Sequence, residues 1–271
     1  MEIAIVTGAS SGIGEATAHT LLKSGYTVYA AARRVERMQG LAAAGAKLLQ
    51  LDVTDEASML AAVQRVLSDT GGRVDVLVNN AGYGSYGALE DVPLAEARRQ
   101  MEVNVFGLAR MTQLVLPAMR AHKSGTIVNI SSIAGKVSMP LSAWYHTTKF
   151  AVEGLSDCLR MEVKPFGIRV VIIEPGAIAT EFAGPATEGM EKASGHTAYA
   201  GQAKRLLRLF RTFKTAAPPQ VVADAILKAV RSKNPKTRYV MGGGARPILA
   251  LRKLLPDKGF DKVMETVLNR M

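Results

Sequence analysis

The chain has 271 residues, with 34 Lys and Arg against 23 Asp and Glu, a formal charge of +11 at neutral pH. That length can bury a large core in one α/β domain, the 48% hydrophobic content argues against disorder, and a lone cysteine, Cys158, excludes an internal disulfide. A strand-like run begins at residue 2 and no apolar run reaches the ~18 residues of a membrane span, so a cytoplasmic protein without signal peptide or spanning helix is the default expectation.

Short apolar runs alternate with helical periodicity from the start. Residues 2–7 (EIAIVT) read as a buried strand, 12–23 as a helix, 26–31 as a second strand, 36–44 as a short helix stopped by Gly45, and 46–51 as a third strand. Thr54 is placed to cap a helix through residue 67, with Asp55 and Glu56 in its first turn. Strand-like runs follow at 74–78, 126–130 and 169–174, interleaved with long helical patterns over 104–122 and 143–164. Cys158 is expected to pack within the second of these helices. Past Pro175 the pattern loosens, and 176–217 reads as a substrate loop or lid with little periodicity before 203–214. A helix then starts at Pro218-Pro219 and runs to about residue 231, 237–241 suit an edge strand, and 242–271 read as a C-terminal helical extension. Short strands separated by helices predict a single Rossmann-type domain over 1–271: a doubly wound parallel sheet of about seven strands with helices on both faces.

Three features carry chemistry. The turn Thr7-Gly8-Ala9-Ser10-Ser11-Gly12-Ile13-Gly14 joins the first strand to the first helix. Gly8 permits a tight exit from the strand, Gly12 lets backbone approach a pyrophosphate, and Gly14 lets the helix pack closely on the sheet. The pyrophosphate would sit at the helix N-terminus beside Ser10, Ser11 and Ile13, where free N–H groups and the macrodipole favour negative charge. Tyr145 and Lys149 lie one helical turn apart in the run WYHTTKF, and Ser132 lies 13 residues before the tyrosine at the end of a strand.

These motifs, in a Gly-x-x-x-Gly-x-Gly rather than Gly-x-Gly-x-x-Gly spacing, resemble the short-chain dehydrogenase/reductase family over residues 2–182. Asn79-Asn80-Ala81-Gly82, Asn104-Val105-Phe106-Gly107 and Pro175-Gly176-Ala177-Ile178-Ala179-Thr180 match further family segments. The resemblance implies an NADP(H)-dependent oxidoreductase that interconverts a carbonyl and an alcohol, in pattern nearest to members handling steroids, retinoids and other bulky apolar compounds. It implies that Asp52-Val53 border the adenine, and that Asn79, Ala81, Gly82, Pro175, Gly176, Ile178 and Thr180 line the cofactor. It also implies that Lys149 holds the ribose hydroxyls, and that Asn104 holds a water linking Lys149 to solvent. Members pair through the helices matching 104–122 and 143–164, so a homodimer or homotetramer is expected.

The chemistry can also be argued from the residues. Hydride reduction of a carbonyl leaves a developing alkoxide that needs a proton. A tyrosine, with an ordinary pKa of ~10, is a suitable acid if a nearby cation favours its phenolate. Lys149 is placed to do so, and Ser132 would polarise the carbonyl oxygen. Strand alternation points Ser131 and Ser132 to opposite faces, and the resemblance, in which the family's serine lies 13 residues before its tyrosine, implies Ser132. At the end of the second strand an acid would bind a ribose 2′-hydroxyl; Ala32 stands there, followed by Arg33 and Arg34, suited to a 2′-phosphate.

His19, His122, His146 and His196 lack metal-ligand spacing, so no metal site is expected and the histidines read as structural or surface. Residues 203–214 interleave Leu206, Leu207, Leu209, Phe210 and Phe213 with Lys204, Arg205, Arg208, Arg211 and Lys214. That pattern suits a mobile lid over an apolar substrate, a membrane-surface contact, or a plain surface helix. Residues 201–271 carry 16 basic against 4 acidic residues, a solvated basic lobe or an anion-seeking one, but without the interleaved aromatics of a nucleic-acid platform. Two other readings share the fold: a catalytically silent nucleotide sensor and a 3-oxoacyl-type reductase.

Overall fold

The computed structural model describes residues 1–212 and 216–269. Among them, seven strands form one all-parallel sheet: β1 (Ile3–Thr7), β2 (Thr27–Ala32), β3 (Lys47–Gln50), β4 (Val76–Asn79), β5 (Gly125–Ile130), β6 (Ile168–Pro175) and β7 (Arg238–Met241). Their order is β3-β2-β1-β4-β5-β6-β7. The strands are apolar throughout because both faces are covered. In β1, Ala4 and Val6 enter a core shared with α1 (Gly12–Lys23) and α9 (Gln220–Arg231). Ile3 and Ile5 enter a second core with α3 (Glu56–Thr70), α5 (Gly107–Ala121) and α6 (Ala143–Val163). Each fully buried aliphatic side chain contributes about 1.5–3 kcal/mol to this three-layer arrangement. The fold is thus a doubly wound Rossmann-type domain. Chain direction across the sheet reverses between β1 and β4, and the crevice at the carboxyl ends of such strands is where ligands bind.

Several elements differ from the sequence expectation. Thr54 does not cap α3; its hydroxyl donates to Asp52 Oδ1 at 2.8 Å, and Asp55 caps instead, its Oδ1 accepting from the Ala57 amide at 3.0 Å. The helix expected over 36–44 opens as a 3₁₀ turn, Val35–Met38, and is α-helical only in α2 (Gln39–Ala43). The helix expected from residue 104 begins earlier, at α4 (Leu94–Met101) after Pro93, and reaches α5 through a π turn, Glu102–Phe106. Helix α7 (Ala183–Ser194) was not anticipated. Its buried stripe, Ala186, Met190 and Ser194, has helical spacing but is built from small or flexible residues rather than Leu and Ile. Cys158 is exposed, because the buried stripe of α6 runs through Val152, Ser156, Leu159 and Val163 and leaves position 158 outside it.

Helix α8 (Ala200–Thr212) covers most of the amphipathic stretch, while Phe213 and Lys214 lie outside the described residues. The C-terminal extension is α10 (Ala245–Leu254) and α11 (Asp257–Asn269). No helix among the described residues is long and apolar enough to cross a membrane.

Candidate active site

The ends of β1, β4, β5 and β6 bring the expected residues to one crevice. After β1 the chain turns through Gly8 and Gly12, at φ +66° and +58°, a conformation that side-chain-bearing residues rarely adopt. At Gly14 a Cβ would lie 2.3 Å from the Gly8 carbonyl oxygen, so only glycine lets α1 close onto the turn. Ser11 is the N-cap of α1, and its side chain makes no capping bond, which leaves the first-turn N–H groups of the helix open to an external acceptor. Thr180 stands over the turn, its Cγ2 3.1 Å from where a Gly12 Cβ would be. This cradle has the clearance and the open backbone N–H groups that a pyrophosphate requires.

The residues bracing that cradle were only partly legible. Asn79, expected at the cofactor, faces away: its amide is buried and donates to Thr112 Oγ1 at 3.0 Å and Asn129 Oδ1 at 2.9 Å, tying β4 to α5 and β5. Asn80 does the bracing, donating from Nδ2 to the Thr7 and Gly8 carbonyls at 3.0 and 3.2 Å, while Thr7 Oγ1 accepts from the Asn80 and Ala81 amides. Strand alternation puts Asn79 on the same face as Leu77, and contact with Thr112 makes that the α5 face. Gly82 lies against Asn104, whose Oδ1 is 3.2 Å from the position a Gly82 Cβ would take.

Asn104 sits in the π turn, a geometry frequent at functional sites. Its Oδ1 accepts from the Tyr83 amide at 3.0 Å, and its Nδ2 donates to the Tyr83 carbonyl and to Thr148 Oγ1 at 2.9 and 3.1 Å. Both amide hydrogens are therefore committed to clamping the Gly82–Tyr83 backbone onto α6. Val53 is buried beneath Gly107, where a Cβ would lie 2.5 Å from the Val53 carbonyl oxygen. Asp52 folds back on Thr54. Arg33 and Arg34 are exposed just past β2, with Arg33 in the electrostatic neighbourhood of Asp52 and Tyr83 and Arg34 in that of Glu181.

Beyond β6, Pro175–Thr180 is held in place by backbone bonds. The Gly176 amide donates to the Met241 carbonyl at 2.7 Å, and Ala177 exchanges bonds with Gly243 in both directions. Ile178 forms a bridge with Ala217 and packs against Gly242.

Tyr145 and Lys149 are both 8% exposed on α6. Ser132 extends β5 toward the phenol; its hydroxyl donates to the Pro175 carbonyl at 3.3 Å and accepts from the Ala134 amide at 3.1 Å. Ser131 points the other way and is buried. The Lys149 ammonium donates to the Ile130 carbonyl at 2.9 Å and lies 5.8 Å from the centre of the Tyr145 ring. Burial pushes the Tyr145 phenol up to about 12, with the Ser132 hydroxyl pulling the other way. Burial pulls the Lys149 ammonium down to about 8, opposed by the Glu153 carboxylate. The expectation that Lys149 draws the phenol toward neutrality is not met by this geometry, because burial outweighs a cation directed at a backbone carbonyl. His146, beside Tyr145, is buried with Nδ1 2.9 Å from the Ala134 carbonyl, and burial lowers its pKa, so it is a neutral structural brace.

An aromatic group covers the phenol. Tyr86 and Phe182 lie 5.5 and 5.4 Å from the Tyr145 ring centre, and Phe210 of α8 meets Tyr86 edge-on at 5.5 Å. Gly84 passes under this group, with no room for a Cβ beside Phe182 and Tyr86. Leu141, Met190, Ala203, Leu206 and Leu207 complete the wall. Tyr86 and Phe182 were not singled out in the sequence, since neither lies in a periodic stretch. The lid residues were, but a mobile cover does not describe Leu206. It is 1% exposed and belongs to the wall itself.

Chain-wide similarity agrees with this geometry. The family described as short chain dehydrogenase matches residues 2–191. The chain belongs to that family. It is 38% identical over 259 residues to a 3-ketodihydrosphingosine reductase from Bacteroides thetaiotaomicron, covering 94% of each chain. It is 34% identical to an NADPH-dependent 3-dehydrocapnine reductase from Ornithobacterium rhinotracheale, covering 100% of this chain and 99% of the relative. The crystal structure of a short-chain dehydrogenase from Streptomyces avermitilis superposes with a TM-score of 0.81 at 36% identity, covering 99% of this chain and 95% of that one. This short chain dehydrogenase is accordingly an oxidoreductase of that family.

Proposed function

We propose that the protein is an NADP(H)-dependent oxidoreductase that interconverts a carbonyl and an alcohol on a bulky apolar substrate, with a 3-keto lipid as the first candidate. The observation that carries this reading is Tyr145, with Ser132 and Lys149 beside it, set beneath an aromatic and aliphatic wall at the mouth of a phosphate-binding turn. Two relatives of nearly full coverage are reductases named for a 3-keto and a 3-dehydro substrate, one of them NADPH-dependent. They favour 3-keto lipids over steroids and retinoids.

NADPH held at the Gly8–Gly14 turn would supply the hydride. Ser132 hydrogen-bonds the substrate carbonyl and polarises it. The Tyr145 phenol, protonated throughout the neutral range, gives its proton to the developing alkoxide. The Lys149 ammonium stabilises the phenolate left behind and holds ribose hydroxyls. Asn104 keeps the Gly82–Tyr83 backbone at the correct height beside α6. Within the expected lid, α7 and α8 supply the wall that separates the phenol from solvent.

Arg33, with Arg34, clamps the 2′-phosphate, which sets the test. NADPH oxidation should be driven by 3-ketodihydrosphingosine in preference to steroid ketones, retinal or small aldehydes, and Arg33→Asp should lower kcat/KM for NADPH about tenfold or more while raising it for NADH. Equal wild-type kcat/KM for the two cofactors would remove the clamp, and indifference to substrate size would remove the apolar-substrate reading. A homo-oligomer through α5 and α6 belongs to the same proposal, since Phe106, Phe150 and Met161 remain exposed on or beside those helices. A sedimentation mass of 28.9 kDa at micromolar concentration would exclude it.

A further inference from the structure

Behind Lys149, on the side away from Tyr145, lies a buried charge cluster that the catalytic reading does not use. Glu153 follows Lys149 by one turn of α6, and Glu174 is the penultimate residue of β6; they are 4% and 2% exposed. Lys136, after the 3₁₀ turn Ile133–Gly135, reaches Glu153 Oε2 at 2.7 Å. Arg238 of β7 reaches the same oxygen at 2.9 Å and Asp157 Oδ2 at 2.6 Å, and Asp157 also pairs with Arg160. Three donor contacts thus converge on one Glu153 oxygen. The other, Oε1, is buried with no hydrogen-bond partner among the described residues, and so is Glu174 Oε1. Arg238 Nε lies 3.2 Å from Glu174 Oε1, an ion-pair distance without hydrogen-bond direction.

Lys136 and Arg238 each reach both carboxyl groups, which places the two side by side, and one proton held between them would give both orphaned oxygens a hydrogen bond; two carboxylates would leave Glu153 Oε1 bare and the pair repelling. We propose that Glu153 and Glu174 share a proton and act as a positioning pair, the charge on Glu153 keeping Lys149 in its ammonium form behind Tyr145. Gly135 leaves room for Glu153 beside the α6 backbone: a Cβ there would lie 2.8 Å from Glu153 Cγ and 2.9 Å from the Lys149 carbonyl oxygen. The charged groups around the pair are Lys149 and Asp157 on α6, the latter paired with Arg160, Lys136 after the 3₁₀ turn, and Arg238 on β7. Burial, and then the Glu153 charge, push the Glu174 carboxyl up to about 7, so the shared proton is lost only near neutrality.

The role in turnover rests on the proposed reductase reading, so the experiment has two arms. In the first, infrared spectroscopy of the full chain follows the carbonyl stretch of protonated carboxyl groups through a pH titration. One such group should persist to about pH 7 in the wild type and be missing there from both Glu153→Gln and Glu174→Gln. A wild type with every carboxyl ionised by pH ~6, or a signal surviving in both variants, overturns the pair. In the second arm, NADPH-driven ketone reduction is followed against pH. Glu153→Gln should move the alkaline limb down by about one pH unit, roughly a tenfold loss at alkaline pH, and Glu153→Asp should restore it. An unmoved limb in a folded Glu153→Gln overturns the positioning role. If the wild type reduces no ketone, the reductase reading fails while the infrared arm still decides the pair.

Discussion

Replacing Tyr145 with Phe is expected to lower kcat/KM for carbonyl reduction by about 10²–10⁴-fold, the usual contribution of a positioned general acid. The ring should stay in place, because Tyr86 and Phe182 pack against it at 5.5 and 5.4 Å and neither contact uses the hydroxyl. Cofactor binding, read by NADPH fluorescence, should change little, since the phosphate turn and Arg33 lie on other elements. Melting should hold or rise slightly, as a buried phenol oxygen is replaced by hydrogen. A variant that keeps more than about a tenth of wild-type turnover, ~1.4 kcal/mol in barrier terms, would mean that another group delivers the proton.

Lys149→Met should abolish turnover and yet leave the fold as stable or more stable at neutral pH. The ammonium falls from its ordinary 10.5 to about 8 because it is buried, so the folded protein holds this proton less tightly than the unfolded chain does. The sign follows from linkage. Stability is lowest below about pH 8, where both states carry the charge, rises between about 8 and 10.5, and has regained the whole difference above 10.5. That difference corresponds to about 3 kcal/mol. Part of it is offset because Lys149 also satisfies the Ile130 carbonyl, and an orphaned buried acceptor costs about 1–3 kcal/mol. The net gain at pH 7 should therefore be about 0–2 kcal/mol, at most a few degrees in Tm for a chain of this size. The gain should shrink or reverse by pH ~10, where the lysine is neutral in the folded protein and the unfolded chain has begun to lose its proton, so most of the penalty is gone. Melting curves at the two pH values decide it: an equal shift at both would show that packing rather than buried charge is responsible.

The parallel sheet was legible because its signal is local. Strands buried on both faces must be short apolar runs, and the helices between them must cover those faces, so alternation of the two patterns leaves few other topologies. The phosphate turn was legible because Gly8, Gly12 and Gly14 each answer a steric demand that a side chain would violate. Tyr145, Lys149 and Ser132 were readable as a set because one helical turn and one strand end fix their spacing. Strand alternation put Ser131 and Ser132 on opposite faces, and the family's serine-to-tyrosine spacing chose between them.

What depended on contacts between distant segments was not readable. Whether Asn79 or Asn80 faces the turn depends on which face of β4 meets α5, and Thr112 and Asn129, remote in sequence, settle it. Tyr86, Phe182 and Phe210 lie far apart along the chain and become one wall only when α7 and α8 fold over α6. Acidity was the least predictable property. Spacing alone suggested that Lys149 would lower the Tyr145 pKa, but burial raises it, and burial is a property of the whole fold. Composition, periodicity and motif spacing therefore determined the architecture and the residues brought to the crevice. Only the tertiary structure decided how dry that crevice is, which oxygens find partners, and which groups keep their protons, because desolvation and pairing depend on atoms that the linear order does not place side by side.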